Sequence, residues 1–286
     1  MTWEFNRYVE EELINKLKAQ PLWKNKLEDD CRKGKVFLAI RDGYISFYHK
    51  GGSLFKFDSK GFSTHVKYAL VVDTENENAS TNYVHDGQLE VIPIVRNFID
   101  GYNGIKANCA LHSGVEAEGV SNLYQESSYL ITEPFFVLDI EIAFKKDGGR
   151  EQDRIDILLY DNSSQTLRFV EAKHFSNSEI WSTSTPKVIT QIEKYEGQIA
   201  KHEKDLIKKY GLYINCINLI FNKQFKPPQY INPNVSLLIF GFDDEQKQGE
   251  RFKKLIFSNP EYKKIKKYCK GVPNGLKAEK IWKQAR

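Results

Sequence analysis

The sequence predicts an α/β protein: a mixed β-sheet flanked by helices, preceded by an N-terminal α+β region. Three observations favour this class. Residues 35–57 alternate strand-like runs with tight turns, residues 135–175 contain three more strand-like runs, and a long helical pattern follows over 187–210. Helices packed on both faces of the second set of strands would bury its apolar runs.

The N-terminal region, residues 1–85, is predicted to begin with helices. Apolar residues recur at helical spacing over 2–18, which predicts an amphipathic helix, and residues 23–33 allow a second, short helix.

An antiparallel meander is predicted to follow these helices. The runs KVFLAIR and YISFYH are separated by Asp42 and Gly43, a dipeptide typical of two-residue hairpin turns. Further strands are predicted at 54–57 and 64–73.

The polar stretch 73–88 is poor in aliphatic residues, so it predicts a loop and a boundary between two domains, 1–85 and 86–286. The helical pattern resumes over 89–105 and again over 114–129.

The second domain contains the clearest pattern. Three strands are predicted at 135–144, 154–161 and 167–175, joined by polar turns, and a helix is predicted at 187–210. This order, a helix, three consecutive strands and a second helix, predicts a sheet with helices on its faces.

Two apolar runs, 213–221 and 235–242, are interpreted as buried strands. Lysine-rich helices are predicted to close the chain. Basic surfaces attract phosphate backbones through counterion release. Four lysines of this tail are therefore predicted to bind nucleic acid: Lys263, Lys264, Lys266 and Lys267.

Composition excludes several classes of protein. No apolar run approaches the roughly 18–20 residues that span a bilayer, and the charged N-terminus lacks a secretory signal, so no membrane partner is expected and a cytoplasmic location is predicted. The four cysteines form no CxxC pair of the kind that structural zinc sites use, and they are predicted to be reduced and mostly buried. Neither a Gly-rich phosphate loop nor an HExxH motif is present.

The predicted strands 154–161 and 167–175 form a hairpin that carries three charged residues, and strand pairing would bring these residues together. Antiparallel folding places Asp156 opposite Glu171, and alternation puts Glu171 and Lys173 on the same face. Charges in a sheet interior cost several kcal/mol unless they are paired or bound to a metal. Two carboxylates and a backbone carbonyl, such as that of Ala172, are hard oxygen ligands that suit Mg²⁺ or Mn²⁺.

This arrangement resembles the PD-(D/E)xK nuclease superfamily, whose signature is an Asp on one strand and Glu-x-Lys on the next. Here the two strands read IDILL, which contains Asp156, and VEAKH, which contains Glu171 and Lys173. The Pro of the family name is replaced by Ile155. The resemblance covers roughly residues 114–243 and implies a restriction-endonuclease-like core.

A second motif follows on the predicted long helix. Gln191 and Tyr195 lie four residues apart, so they share one helical face. They are similar to the Q-x-x-x-Y motif of RecB-type nucleases. The resemblance implies metal-dependent hydrolysis of phosphodiester bonds, in which the metal is held by Asp156 and Glu171, Lys173 assists the attacking water, and the Gln and Tyr line the active site.

The superfamily often takes a further metal ligand from the helix before the sheet. Glu118 is slightly preferred for this role, and Glu126 is a second candidate. Glu141 is a third candidate, because its strand is predicted to pair with the strand of Asp156. A register slip of one residue would reverse the face that Glu141 occupies.

The sequence therefore predicts a metal-dependent nuclease, expected to be a DNA endonuclease that acts in restriction, repair or defence against mobile elements. The alternative is a non-catalytic nucleic-acid-binding or assembly module that retains the nuclease fold. A homodimer, or a protein partner bound through the N-terminal region, is left open.

Overall fold

The computed structural model describes residues 5–69, 83–85, 97–144 and 153–284. The chain forms two compact units. We call the first the meander unit; it comprises Asn6–Ser121 and Leu212–Phe225. We call the second the mixed-sheet unit; it comprises Met1–Phe5, Asn122–Gly211 and Lys226–Arg286.

This division differs from the predicted boundary between residues 85 and 86. It falls between Ser121 and Asn122, inside a helix. The helix at Phe98–Leu111 stays with the meander unit because Phe98 packs against Phe55 of the meander, with ring centroids 5.2 Å apart. Most of the polar stretch 73–88 lies outside the described residues.

The meander unit begins with α1 (Glu11–Ala19), a π-helical turn at Trp23–Leu27 and α2 (Glu28–Arg32). The predicted helix over 2–18 is wrong at its start. Tyr8 forms a parallel bridge with Asp42 and accepts a hydrogen bond from the amide of Gly43 on its backbone oxygen. These contacts keep the chain before Glu10 out of the helix, and residues 1–4 lie outside the described part.

Five antiparallel strands form the sheet of this unit, in sequential order: β1 (Phe37–Ile40), β2 (Ile45–His49), β3 (Gly52–Asp58), β4 (Gly61–His65) and β5 (Tyr83–His85). The predicted hairpin at Asp42 and Gly43 is confirmed, since Ile40 pairs with Ile45. The strand predicted over 64–73 is wrong in extent. The strand ends at His65, and a helical turn, α3 (Val66–Ala69), follows.

Two helices follow in the sequence: α4 (Phe98–Leu111) and α5 (Val115–Ser127), which begins in the meander unit and ends in the mixed-sheet unit. The helix predicted over 114–129 is confirmed; of that predicted over 89–105, only the portion from residue 97 is described.

A buried ionic group connects α2 with α4. The Asp30 carboxylate accepts hydrogen bonds from Tyr102 Oη at 2.7 Å and from Lys106 Nζ at 2.6 Å. Burial alone would raise the pKa of Asp30, but Lys106 and Tyr102 more than offset this effect, so the pKa lies below its ordinary value.

The mixed-sheet unit is built on a sheet in the order β11-β10-β8-β7-β6. Its strands are β6 (Phe135–Phe144), β7 (Asp153–Asp161), β8 (Thr166–His174), β9 (Tyr230–Ile231), β10 (Ser236–Phe240) and β11 (Lys267–Lys270). The first three form an antiparallel meander, β10 lies parallel to β8, and the short β9 pairs with the start of β8. The predicted mixed sheet flanked by helices is confirmed, as are its three consecutive strands.

A long helical segment, α6 (Lys187–Phe221), follows β8; it consists of two helices joined at a kink, where the backbone of His202 is non-helical. The strand predicted over 213–221 is therefore wrong. Asn215 and Leu219, four residues apart, are exposed, and the residues between them are mostly buried. This is a helical pattern, which an almost wholly apolar run conceals.

The C-terminal segment is helical only in part. Its helices are α7 (Asp244–Gln248), α8 (Glu250–Phe252), a π-helical turn at Lys253–Phe257, α9 (Pro260–Lys263) and α10 (Ala278–Gln284). Lys267 was expected in a helix but lies in β11, which pairs in parallel with the buried strand β10.

All four cysteines are free, as predicted, and Cys31, Cys109 and Cys216 are buried. Among the described residues, no helix has the length and apolar character that crossing a membrane requires.

Candidate active site

The register between β7 and β8 brings the predicted aspartate and glutamate together. Ile157 pairs with Val170, so the next positions outward, Asp156 and Glu171, face each other as the sequence predicted. The backbone amide of Ala172 donates a hydrogen bond of 2.7 Å to Asp156 Oδ2. The Asp156 carboxylate is thus fixed against the strand that carries the Glu-x-Lys motif.

Lys173 lies on the same face as Glu171, as strand alternation requires. Its Nζ is 3.0 Å from Glu171 Oε1, and the two side chains are 8% and 1% exposed. On the neighbouring strand, the register partners of these residues are Ile239 and Leu237, both buried. The ion pair is therefore bordered by apolar side chains, which weakens screening by water.

The electrostatics of this cluster favour the charged lysine. Burial lowers the pKa of Lys173, but the charge of Glu171, the hydrogen bonds that Lys173 donates to Glu179 and Glu171, and the charge of Asp156 more than offset burial. The pKa of Lys173 therefore lies above its ordinary value. The group consists of three carboxylates and one ammonium, so its formal charge with all four ionised is −2.

Glu179 is a member of this cluster that sequence reasoning missed. Its Oε2 lies 3.0 Å from Lys173 Nζ, and the Glu179 side chain is 39% exposed. It stands in a 3-10 turn at Ser178–Ile180, whose first amides are capped by the Asn177 side chain through a 2.9 Å bond from Glu179 N. The sequence contains one signal for this turn: Asn177 lies two residues before Glu179 and just after the strand of Lys173, a spacing at which the Asn side chain can cap the backbone amide of the Glu.

The loop that carries Glu179 is anchored at several points. Trp181 Nε1 donates to the Phe175 backbone oxygen at 2.9 Å, and Tyr262 Oη donates to the Ile180 oxygen at 2.7 Å. The Arg251 guanidinium lies over the Trp181 ring, 4.2 Å from its centroid. These contacts fix the turn relative to β8 and the C-terminal helices.

The predicted Gln and Tyr of α6 meet the same hairpin. Gln191 Nε2 donates to Tyr195 Oη at 2.7 Å, and Tyr195 Oη donates to the backbone oxygen of Arg154, two residues before Asp156. Tyr195 is fully buried. The pair therefore fixes α6 against β7 next to the acidic cluster.

The three glutamates predicted as candidates for a further metal ligand lie in different parts of the structure. Glu118 belongs to the meander unit and is exposed, and Glu126 is exposed on the same helix within the mixed-sheet unit. Glu141 takes the position facing Asp156, because the pairs on either side of it match Ile140 to Ile157 and Ile142 to Ile155.

Glu141 also has an unusual backbone. Its φ is 52°, a left-handed conformation that non-glycine residues seldom adopt and that often marks functional sites. Its Oε2 lies 3.4 Å from Arg154 Nη1. Within the described ranges, no group of three His, Cys, Asp or Glu side chains is arranged to hold a metal. The identity of a third ligand stays a prediction.

The lysines predicted to bind nucleic acid differ in their surroundings. Lys263 is exposed, and Lys266 is half-buried. Lys264 Nζ contacts both carboxylate oxygens of Glu261 at 2.8 Å, and Lys267 Nζ donates to the Tyr262 backbone oxygen at 2.8 Å. Burial lowers the pKa of Lys267. Two of the four ammonium groups are thus already engaged within the tail.

The donor set of the cluster suits a hard divalent cation. Asp156 and Glu171 present carboxylate oxygens from adjacent strands, and Mg²⁺ in proteins is commonly held by one or two carboxylates while it keeps several waters. The formal charge of −2 would be neutralised by such an ion.

Comparison with known proteins found no match: no family model fits the chain, and no curated protein or solved structure is significantly similar to it.

Proposed function

We propose that the chain is a divalent-metal-dependent nuclease of the PD-(D/E)xK type, which hydrolyses phosphodiester bonds, with DNA as the expected substrate. The observation that carries the proposal is the grouping of Asp156, Glu171 and Lys173 on one face of two paired strands, with Glu171 only 1% exposed.

Stability alone does not account for such a group. Taking a carboxylate out of water costs several kcal/mol even after the protein relaxes, and an ion pair recovers this only when its geometry is excellent. Here more than one carboxylate faces a single ammonium. An excess of carboxylates around one buried ammonium is expected where a protein binds a cation.

The cation would neutralise charge at the scissile phosphate and lower the pKa of a bound water. Asp156 and Glu171 would hold it, and the Ala172 amide keeps Asp156 in its orientation. We propose the backbone carbonyl oxygen of Ala172 as a further ligand of the cation. The Lys173 ammonium would orient the attacking water or stabilise negative charge that develops on the phosphate.

Gln191 and Tyr195 support this site from α6. Tyr195 is hydrogen-bonded to the backbone of β7 and to Gln191, so the half-buried Gln191 side chain is held next to the strand of Asp156. We propose that the pair positions the strand and that Gln191 lines the site.

The meander unit would then contact nucleic acid or a protein partner. The partly exposed Lys56 lies over the partly exposed Tyr44 ring, 4.5 Å from its centroid. Aromatic and cationic groups in combination suit base stacking and phosphate contact.

The test compares wild type with Lys173→Ala on linear, circular and single-stranded DNA and on RNA, with Mg²⁺, Mn²⁺ or EDTA. We expect wild-type cleavage with either ion and none with EDTA. Loss of one transition-state donor predicts a fall of about 10²–10³-fold in the rate for Lys173→Ala. Lys204→Ala, which changes an exposed lysine of α6, is the matched control and should cleave like wild type. Full activity of Lys173→Ala would refute the proposed role.

One observation favours the alternative, a non-catalytic nucleic-acid-binding module: the described residues contain no three-member group of metal-binding side chains. Salt-sensitive DNA binding without cleavage under any of the metal conditions would support that alternative.

A further inference from the structure

The Lys173 ammonium lies between two carboxylates of different kinds. Glu171 Oε1 and Glu179 Oε2 are each 3.0 Å from Lys173 Nζ. Glu171 is buried in the sheet, whereas Glu179 is partly exposed and comes from the turn after β8.

This arrangement matters because Glu171 would have two competing partners. A cation held by Glu171 and an ammonium 3.0 Å from the same carboxylate repel each other. If Glu171 were the only anion beside Lys173, cation binding would displace the lysine, or the lysine would keep the cation out. A second carboxylate beside Lys173, that of Glu179, offsets part of this repulsion and holds the ammonium when the cation binds.

The placement of Glu179 is built into the fold. Asn177 caps the turn, and the oxygen of Ile180 is held by Tyr262 from the C-terminal segment. The loop therefore delivers the Glu179 carboxylate to Lys173 at a fixed position.

We infer that Glu179 is a positioning residue: it holds the Lys173 ammonium in place and so leaves Glu171 available to a divalent cation. This inference rests on the nuclease function proposed above. It assigns Glu179 no direct contact with cation or substrate.

The first test measures binding of Mn²⁺ alone by calorimetry or electron paramagnetic resonance. Changing a residue that orients a metal ligand typically weakens metal affinity by 10–100-fold, and the exposure of Glu179 favours the lower end. We therefore expect about 10-fold weaker Mn²⁺ binding for Glu179→Gln and partial recovery for Glu179→Asp. Glu203→Gln, which changes an exposed glutamate of α6, should bind Mn²⁺ like wild type.

The second test asks whether Glu179 acts through Lys173. In a Lys173→Met background there is no ammonium to hold, so Glu179→Gln should weaken Mn²⁺ binding much less than it does in wild type. Circular dichroism checks that each variant is folded.

The outcomes of these tests distinguish the positioning role of Glu179 from the proposed nuclease function. Wild-type Mn²⁺ affinity in Glu179→Gln, or an equal loss in both backgrounds, would overturn the role of Glu179 and leave the nuclease proposal standing. A wild type that neither binds Mn²⁺ nor cleaves nucleic acid would overturn both.

Discussion

Removing the Lys173 charge should destabilise the fold whenever no metal is present. At 3.0 Å, the Glu171–Lys173 attraction is about 5 kcal/mol for the effective dielectric constant of about 20 that describes such sites. Desolvation of the two charges offsets part of this attraction. Glu179 contributes little further stability because its side chain is partly exposed. Breaking a buried pair from one side typically costs 3–5 kcal/mol, because the other charge is left uncompensated. We expect Lys173→Met to lose about 3 kcal/mol of unfolding free energy in EDTA.

The assay is urea denaturation followed by far-ultraviolet circular dichroism in EDTA. The double variant Glu171→Gln/Lys173→Met should recover most of the loss, because it removes both buried charges. Lys283→Met is the control: it breaks an exposed pair with Glu279, whose side chains are 59% and 53% exposed, and should stay within about 0.5 kcal/mol of wild type. If the single variant is as stable as wild type, or if the double variant is as unstable as the single, the view of this pair as a buried, mutually dependent unit is wrong.

Two further predictions concern stability away from the site. Because the pKa of Asp30 is lowered in the folded protein, its contribution to stability is present above the ordinary carboxyl pKa and is lost as pH falls through the folded value. Urea denaturation across pH should therefore show that acid destabilises wild type more than Asp30→Asn, and that Asp30→Asn costs about 2–4 kcal/mol of unfolding free energy near pH 7. Parallel acid profiles of the two proteins would count against this role of Asp30. Gly197 stands within α6, where an added Cβ would meet nothing within 4 Å; Gly197→Ala should therefore stabilise the protein by about 0.5–1 kcal/mol and raise the thermal midpoint, and a lower midpoint would contradict the helical geometry there.

The hairpin of the site could be predicted from the sequence because its evidence is local. The run to Asp156 and the run to Glu171 are each strand-like, and the turn between them is short, so few registers are available. The facing pair followed from these constraints alone.

Longer-range features were not predictable in the same way. The run 213–221 is so apolar that helical and strand patterns look alike, and only its exposed Asn215 and Leu219 distinguish them once burial is known. Lys267 sits in a strand because it lies beside β10, a partner about 30 residues away in sequence that lysine-rich composition does not reveal.

Glu179 and Glu141 show the same limit within the site. Glu179 reaches Lys173 through a short capped turn whose path depends on contacts with the C-terminal segment. The position of Glu141 depends on register across residues 145–152, and the strand pair contains an irregularity between Val137 and Asp139. A single bulge shifts the register by one residue, which sequence patterns do not resolve.

The packing of Trp181 has a practical consequence. Its indole lies two residues from Glu179, against a guanidinium and within 4.9 Å of the Phe175 ring by centroid distance. Indole emission responds to nearby charge and polarity, and Trp23 and Trp282 lie in other elements. One of the four tryptophans therefore lies directly after the turn of Glu179, and the part of the indole emission that is lost in Trp181→Phe reports events at the acidic cluster without an added label.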